Sequence, residues 1–187
     1  MKNNTILIVS FIISLVIVLS INSKAIAEYS FNDPEVPKES EEAASLLFNT
    51  LSLTFLSLEQ LEHNRIGNVR EIKSKIQKNL DEVLKKQKII KEKTSKRKII
   101  HGMVPPDRLP MIMNDFKRFQ INFPVYKNEL PDIAIQQITS FSEFIKSIDY
   151  GNNPIENRKL IRLMINEVWR IVVLGVDLSE IAASINR

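Results

Sequence analysis

The 187-residue chain has no cysteine. Disulfides, thiol nucleophiles and thiolate-bound metals are therefore excluded. Glycine is almost as scarce, with four residues in all, and each stands where a helix would end or a loop begin. Nothing resembles the glycine-rich loops that cradle phosphates, and GxSxG and HExxH are both missing. Of the two histidines, His63 lies four residues after Glu59. A di-iron bundle needs Glu and His three apart, twice, with two further inward carboxylates, so Glu59, Glu62 and His63 read as a solvated helix end with the imidazole near the C-terminal dipole. With no linear signature of catalysis or of a cofactor, the expectation is a non-enzymatic protein without cofactors.

Long apolar runs are confined to the start, "MKNNTILIVSFIISLVIVLSINSKAIA". A lysine, an apolar stretch from Ile6 to Ile21 broken only by serines, and Ala25-Ile26-Ala27 form the pattern of a secretory signal peptide, cleaved after Ala27. The stretch is shorter than the roughly 20 residues a spanning helix needs; an uncleaved membrane anchor is the alternative. No cysteine follows to carry a lipid. The expected location is periplasmic or secreted, which sets nucleic acid aside as a partner, although "VDLSEIAASINR" near the end resembles the opening of a helix-turn-helix over a dozen common residues. An exported domain without disulfides must be held by packing, and the chain is long enough for a real core.

Charge is nearly balanced, at a formal +4, but unevenly spread. Residues 28–62 carry eight acids and one base, residues 63–98 thirteen bases and four acids, and residues 99–187 ten of each. The densest run is "KKQKIIKEKTSKRKII", from Lys85 to Ile100.

Periodicity places the elements. Residues 28–38, with two prolines, read as an extended lead-in to a single helical domain over 39–187. Ala44, Phe48, Leu51, Phe55 and Leu58 recur at spacings of four and three, predicting a helix from about Ser40 to Glu62. Leu46 and Leu53 fall on its other side, as a surface for a partner helix or for burial within the bundle. Gly67 in "HNRIGN" is the expected left-handed stop, and a second helix carries Val69, Ile72, Ile76, Leu80, Val83 and Ile90. "HGMVPPDRLP" must break the chain. Asp107 then caps a helix to about Asn122, facing inward with Leu109, Ile112, Met113, Phe116, Phe119 and Phe123. Asp132 caps a helix to about Asp149, with Ala134, Ile138, Phe141, Ile145 and Ile148 in register. Asn153 with Pro154 opens a largely apolar helix to about Leu174, with a polar strip at Arg158, Arg162, Asn166 and Arg170. Gly175 interrupts it, and Asp177 with Glu180 forms a capping arrangement for a short last helix. The predicted fold is all-α: an irregular bundle of five or six helices that begins with a long antiparallel helical hairpin.

Folding the first two helices back about position 65 sets Glu42 against the region of Lys88 and Glu39 against the region of Lys91. That pairing absorbs the first half of the basic run. Lys93, Lys96, Arg97 and Lys98 are left as a helix end available to an anionic membrane or cell-wall surface. Arg162 and Arg170, beside the only tryptophan, Trp169, could hold an anion, or could edge the core with the indole. His101, Met103, Met111 and Met113 combine imidazole and thioethers, the donors of a soft Cu(I) site, although Met111 and Met113 lie two apart on a helix and packing explains them as well. The functional expectation is an exported interaction or adaptor module whose partner is another envelope or secreted protein. Docking on anionic surfaces is the alternative, and soft-metal or small-ligand binding the third.

Overall fold

A computed structural model describes Asp33 and residues 35–185; the expected signal peptide and most of the expected lead-in lie outside the described residues. The described residues form five α-helices: α1 (Pro37–Glu62), α2 (Ile66–Lys93), α3 (Leu109–Arg118), α4 (Leu130–Ser147) and α5 (Pro154–Ser184). Short 3-10 turns at His101–Met103 and Lys127–Glu129 punctuate the connections. The fold is an all-α helical bundle. No described helix is long and apolar enough to cross a membrane.

The bundle is more regular than its sequence suggests. α1 packs on α2 and α5, α2 on α4, and α4 on α5, closing a ring of four. Side-chain pairs fix the directions. Asn79 Nδ2 donates to Asn49 Oδ1 at 2.8 Å and Asn68 Nδ2 to Gln60 Oε1 at 2.8 Å, so α1 and α2 are antiparallel. Gln77 Nε2 donates to Ser142 Oγ at 2.6 Å, Lys73 Nζ to the carbonyl of Ile148, and Lys91 pairs with Asp132 at 2.6 Å, so α2 and α4 are antiparallel as well. The four long helices thus run up and down in turn. The stretch from Thr94 to Glu129, including α3, folds over the end where α1 and α4 begin and α2 and α5 finish.

Two apolar clusters follow from this layout. The main core joins Leu47 and Leu51 of α1, Ile76, Leu80 and Val83 of α2, Ile138, Phe141 and Ile145 of α4, and Ile161, Met164 and Val168 of α5. A second cluster under the covered end gathers Ile99, Val104, Ile112, Phe116 and Leu130 against Leu174, Leu178, Ile181 and Ile185.

The α2 stripe is buried as its spacing predicts. The α1 face differs: its buried line is Ala43, Ala44, Leu47, Thr50, Leu51, Thr54, Ser57 and Leu61, and Phe48, Phe55 and Leu58 are only partly buried. The centre of the arc is held by hydroxyl residues that a hydrophobicity pattern scores as polar. Each hydroxyl is satisfied by its own helix: Thr50 Oγ1 donates to the Leu46 carbonyl (2.9 Å), Thr54 to Leu51 (2.7 Å) and Ser57 to Leu53 (3.0 Å). Burial of these side chains therefore leaves no unpaired group.

Four boundary expectations are corrected. The left-handed residue of the first turn is Asn64, at φ 56°, and Gly67 lies inside the first turn of α2. Asn tolerates that conformation and can end a helix as glycine does. Asp107 and Asp132 cap nothing: α3 starts after Arg108 without a side-chain cap, and α4 starts two residues before Asp132, which pairs with Lys91 instead. Met113 is exposed, because Ile112 and Phe116 are the buried line of α3. The largest difference is at Gly175. α5 runs unbroken through it, 31 residues in all from Pro154 to Ser184. A glycine in a helix interior costs about 1 kcal/mol relative to alanine. Burial of Leu174, Leu178 and Ile181 on one continuous face outweighs that cost. Asn153 does cap α5, its Oδ1 accepting from the Ile155 amide at 3.0 Å with Pro154 next in the chain.

If α5 is continuous, Gly175→Pro removes a mid-helix hydrogen bond and introduces a clash, destabilising the protein by about 3 kcal/mol or more in urea unfolding. A helix boundary at this position would tolerate the proline.

Candidate functional site

The covered end of the bundle holds the features that packing alone does not require. A cavity of about 70 Å³ opens between the four long helices. Small side chains leave the space: Ser40, Ala43 and Ala44 from α1, Ala134 from α4, Ser179 and Ala182 from α5. Leu47, Ile138, Ile171 and Leu174 are among its apolar lining, and Gln87, Gln137, Lys127 and Asp33 supply polar groups. The volume is about half that of an engineered 150 Å³ cavity that admits benzene. It has room for a few waters or a short aliphatic group.

Lys127 is fully buried. Its ammonium lies 2.9 Å from Asp33 Oδ1 and 3.1 Å from Glu35 Oε1. Glu35 in turn accepts from the Ser95 amide (2.8 Å) and hydroxyl (2.9 Å). Burial pushes the Glu35 carboxyl up, but the two Ser95 bonds and Lys127 outweigh it, so it is held below the ordinary glutamate range. Beside this cluster the chain is extended. The Ile99 amide donates to the Val125 carbonyl and the Lys127 amide to the Arg97 carbonyl, both at 2.8 Å, making an antiparallel bridge of Lys98 with Tyr126. The start of the described chain, the segment after α2 and the segment before α4 are thereby tied together. With its ammonium held by two carboxylates, Lys127 is a structural cation, poorly placed to serve as a nucleophile or general base.

A second buried charge lies between α3 and α5. Asp177 is 1% exposed, and its Oδ2 has no hydrogen-bond partner. Burial pushes its carboxyl up to about 7; Asp115 and Glu180 reinforce the shift and Arg108 opposes it. Arg108 is committed to Glu180 through two bonds, Nε to Oε2 at 2.8 Å and Nη2 to Oε1 at 2.5 Å. This fork joins the start of α3 to α5. Among the described residues no group of three or more His, Asp or Glu side chains converges on a metal position.

The residues singled out by sequence reading are scattered. Leu46 and Leu53 are half-buried against the main core. The charge match along the hairpin is present with a small shift in register, Glu42 pairing with Lys86 and Glu39 with Lys93 at 2.6 Å. Lys93 is therefore occupied, and α2 ends there. Lys96, Arg97 and Lys98 belong to the extended segment, not to an overhanging helix. His101 meets the Phe123 ring edge-on at 4.5 Å, Met111 Sδ lies 3.9 Å from Arg108 Nη1, and Met103, Met111 and Met113 are all exposed. Arg170 pairs with Glu167 at 2.9 Å and lies over the Phe119 ring at 5.7 Å, while Arg162 is exposed and Trp169 is 44% exposed. Sequence reading missed Lys127, which sits in an ordinary-looking loop, and misassigned Asp177 as a cap.

Lys127→Ala leaves Asp33 buried without its cation and is expected to cost about 3–5 kcal/mol. Lys86→Ala, which breaks a more exposed pair, is expected to cost about 0–1 kcal/mol; urea unfolding of the two variants compares them directly. For Asp177 the folded carboxyl binds its proton more tightly than the unfolded one. Stability from this group is complete below about pH 4, falls as pH rises, and is gone above about 7. Asp177→Asn should flatten that decline and raise stability at pH 8 by up to about 4 kcal/mol, read from thermal unfolding across the pH range.

No family model, no curated protein and no solved structure matches this chain.

Proposed function

We propose that the chain is an exported, non-enzymatic helical module that binds another protein, and that the outward face of α5 is its contact surface. One observation carries this reading: Ile155, Leu163 and Trp169 are 67%, 50% and 44% exposed along that helix. Arg158, Arg162 and Asn166 stand exposed among them. From Ile155 to Trp169 the face extends about 21 Å, at 1.5 Å per residue. Tryptophan and arginine are the residues that most often dominate binding energy at protein interfaces, and large apolar side chains ranged along one exposed face call for a cover.

The charge pattern indicates the chemistry of the partner. Lys159 pairs with Glu156 and Arg170 with Glu167, each at 2.9 Å. Arg158 and Arg162 have no ion-pair partner among the described residues. A partner offering one or two carboxylates beside an apolar anchor would complement both groups. The absence of a catalytic motif in the sequence and the commitment of Lys127 to two carboxylates support a role in binding over chemistry. Export rests on the signal pattern over residues 1–27.

Photo-crosslinking from position 166 in cells, followed by affinity measurement with the captured protein, tests the reading. Trp169→Ala and Arg162→Ala should each weaken binding by about 30-fold, equivalent to about 2 kcal/mol, with the thermal midpoint unchanged. Equal affinity for parent and variants would overturn the assignment of this face, and capture only of a second copy of the chain would replace it by self-association. N-terminal sequencing of the processed chain should begin at Glu28.

A further inference from the structure

The covered end of the bundle carries a second surface, independent of α5. Among the described residues, ten large apolar side chains are exposed, and four of these, Ile100 (56%), Met103 (37%), Val125 (49%) and Tyr126 (44%), lie in the two segments joined by the bridge of Lys98 with Tyr126. The bridge is flanked by the bonds from Ile99 to Val125 and from Lys127 to Arg97. Lys98 and Tyr126 thus form a non-hydrogen-bonded pair, the arrangement that brings two side chains closest on the same side. Side chains alternate along extended backbone. Ile99 and Lys127 are buried, whereas Lys96, Lys98, Ile100 and Tyr126 are exposed, with Lys98 and Tyr126 on the same side.

The acids nearby are engaged elsewhere. Glu129 accepts from the amides of Val125 and Tyr126 (2.7 and 3.1 Å), Glu35 from Ser95, and Glu39 holds Lys93. Lys96 and Lys98 have no carboxylate partner among the described residues. The exposed surface therefore combines two lysines, a tyrosine and an isoleucine at one end of a rigid bundle. That composition matches the interfacial zone of an anionic bilayer, where lysines meet headgroups and amphipathic rings settle at their level. We propose that this end docks on an anionic lipid surface through Lys96, Lys98, Ile100 and Tyr126. The two bridge hydrogen bonds and the Glu129 carboxylate on the Val125 and Tyr126 amides hold the segments in place, so the surface is preformed and no folding on contact is needed. Docking end-on leaves the side of the bundle, α5 included, facing solution.

Flotation of the full chain with phosphatidylcholine vesicles, with and without phosphatidylglycerol, tests this. The parent should partition more strongly onto the anionic vesicles and lose affinity as the Debye length falls from about 30 Å to about 8 Å. Lys96→Gln with Lys98→Gln should lower anionic partition by about fivefold for each lysine removed. Ile100→Ser with Tyr126→Ser should lower it by a margin that persists at the higher salt. All four side chains are exposed, so the thermal midpoint should not move, and whatever the N-terminal apolar run contributes is common to parent and variants. Equal partition of parent and the lysine variant overturns the proposal. So does loss in the lysine variant with none in the apolar variant, which would leave only a diffuse electrostatic attraction in which Ile100 and Tyr126 take no part.

Discussion

One buried ammonium organises the end of this bundle. Lys127 satisfies its charge on Asp33 and Glu35, and Glu35 extends the connection to Ser95. Three stretches far apart in the chain are thereby brought within hydrogen-bond reach: the lead-in, the exit of α2 and the entry to α4. The cavity, the Lys98–Tyr126 bridge and the second apolar cluster all lie against this junction. A buried ion pair returns little net stability over a well-packed apolar substitute. Its value here is geometric, because three charged partners permit far fewer arrangements than three greasy ones would.

Legibility from sequence followed the length and regularity of each helix. The α2 stripe could be read residue by residue, since Val69 to Val83 face a single continuous core and only Gln87, at the cavity, interrupts the line before Ile90. The Asn153-Pro154 start of α5 was equally plain. α1 was harder because Thr50, Thr54 and Ser57 occupy the middle of its buried face. Their hydroxyls bond to their own helix, which makes them serviceable core residues that look like surface ones. Gly175 and Asp177 misled in the opposite sense. Both carry the local marks of a helix end, yet the apolar register on either side runs without a phase change, and tertiary burial overrode the local preference.

The candidate sites were less legible than the fold. A functional surface in a helical bundle is assembled from segments that meet only after folding, and Lys98 with Tyr126 is such a pair. The basic run and its division into a paired first half and an available end were visible in the sequence, but the boundary falls after Lys93 and not before it. Lys86 and Lys93 are used inside the hairpin, whereas Lys96 and Lys98 stand exposed on an extended segment that no periodicity announced. The exposed face of α5 was half visible: the arginine strip and Trp169 beside it could be read, but Leu163 lay unremarked in a largely apolar helix.

The separation of contacts along the chain also sets an order of assembly. Gln60 and Asn68 are eight residues apart, and Lys127 and Asp33 are 94 apart. Loop-closure entropy makes the second contact costlier by about 2 kcal/mol when the intervening chain is unstructured. The α1–α2 hairpin can therefore nucleate locally, while the lysine junction becomes favourable only after the long helices have brought its ends together. Run in reverse, the same inequality makes the junction the first seam to part under stress. The bundle is then a molecule with a durable shaft and a latch at one end, and the latch is where its unusual surface is displayed.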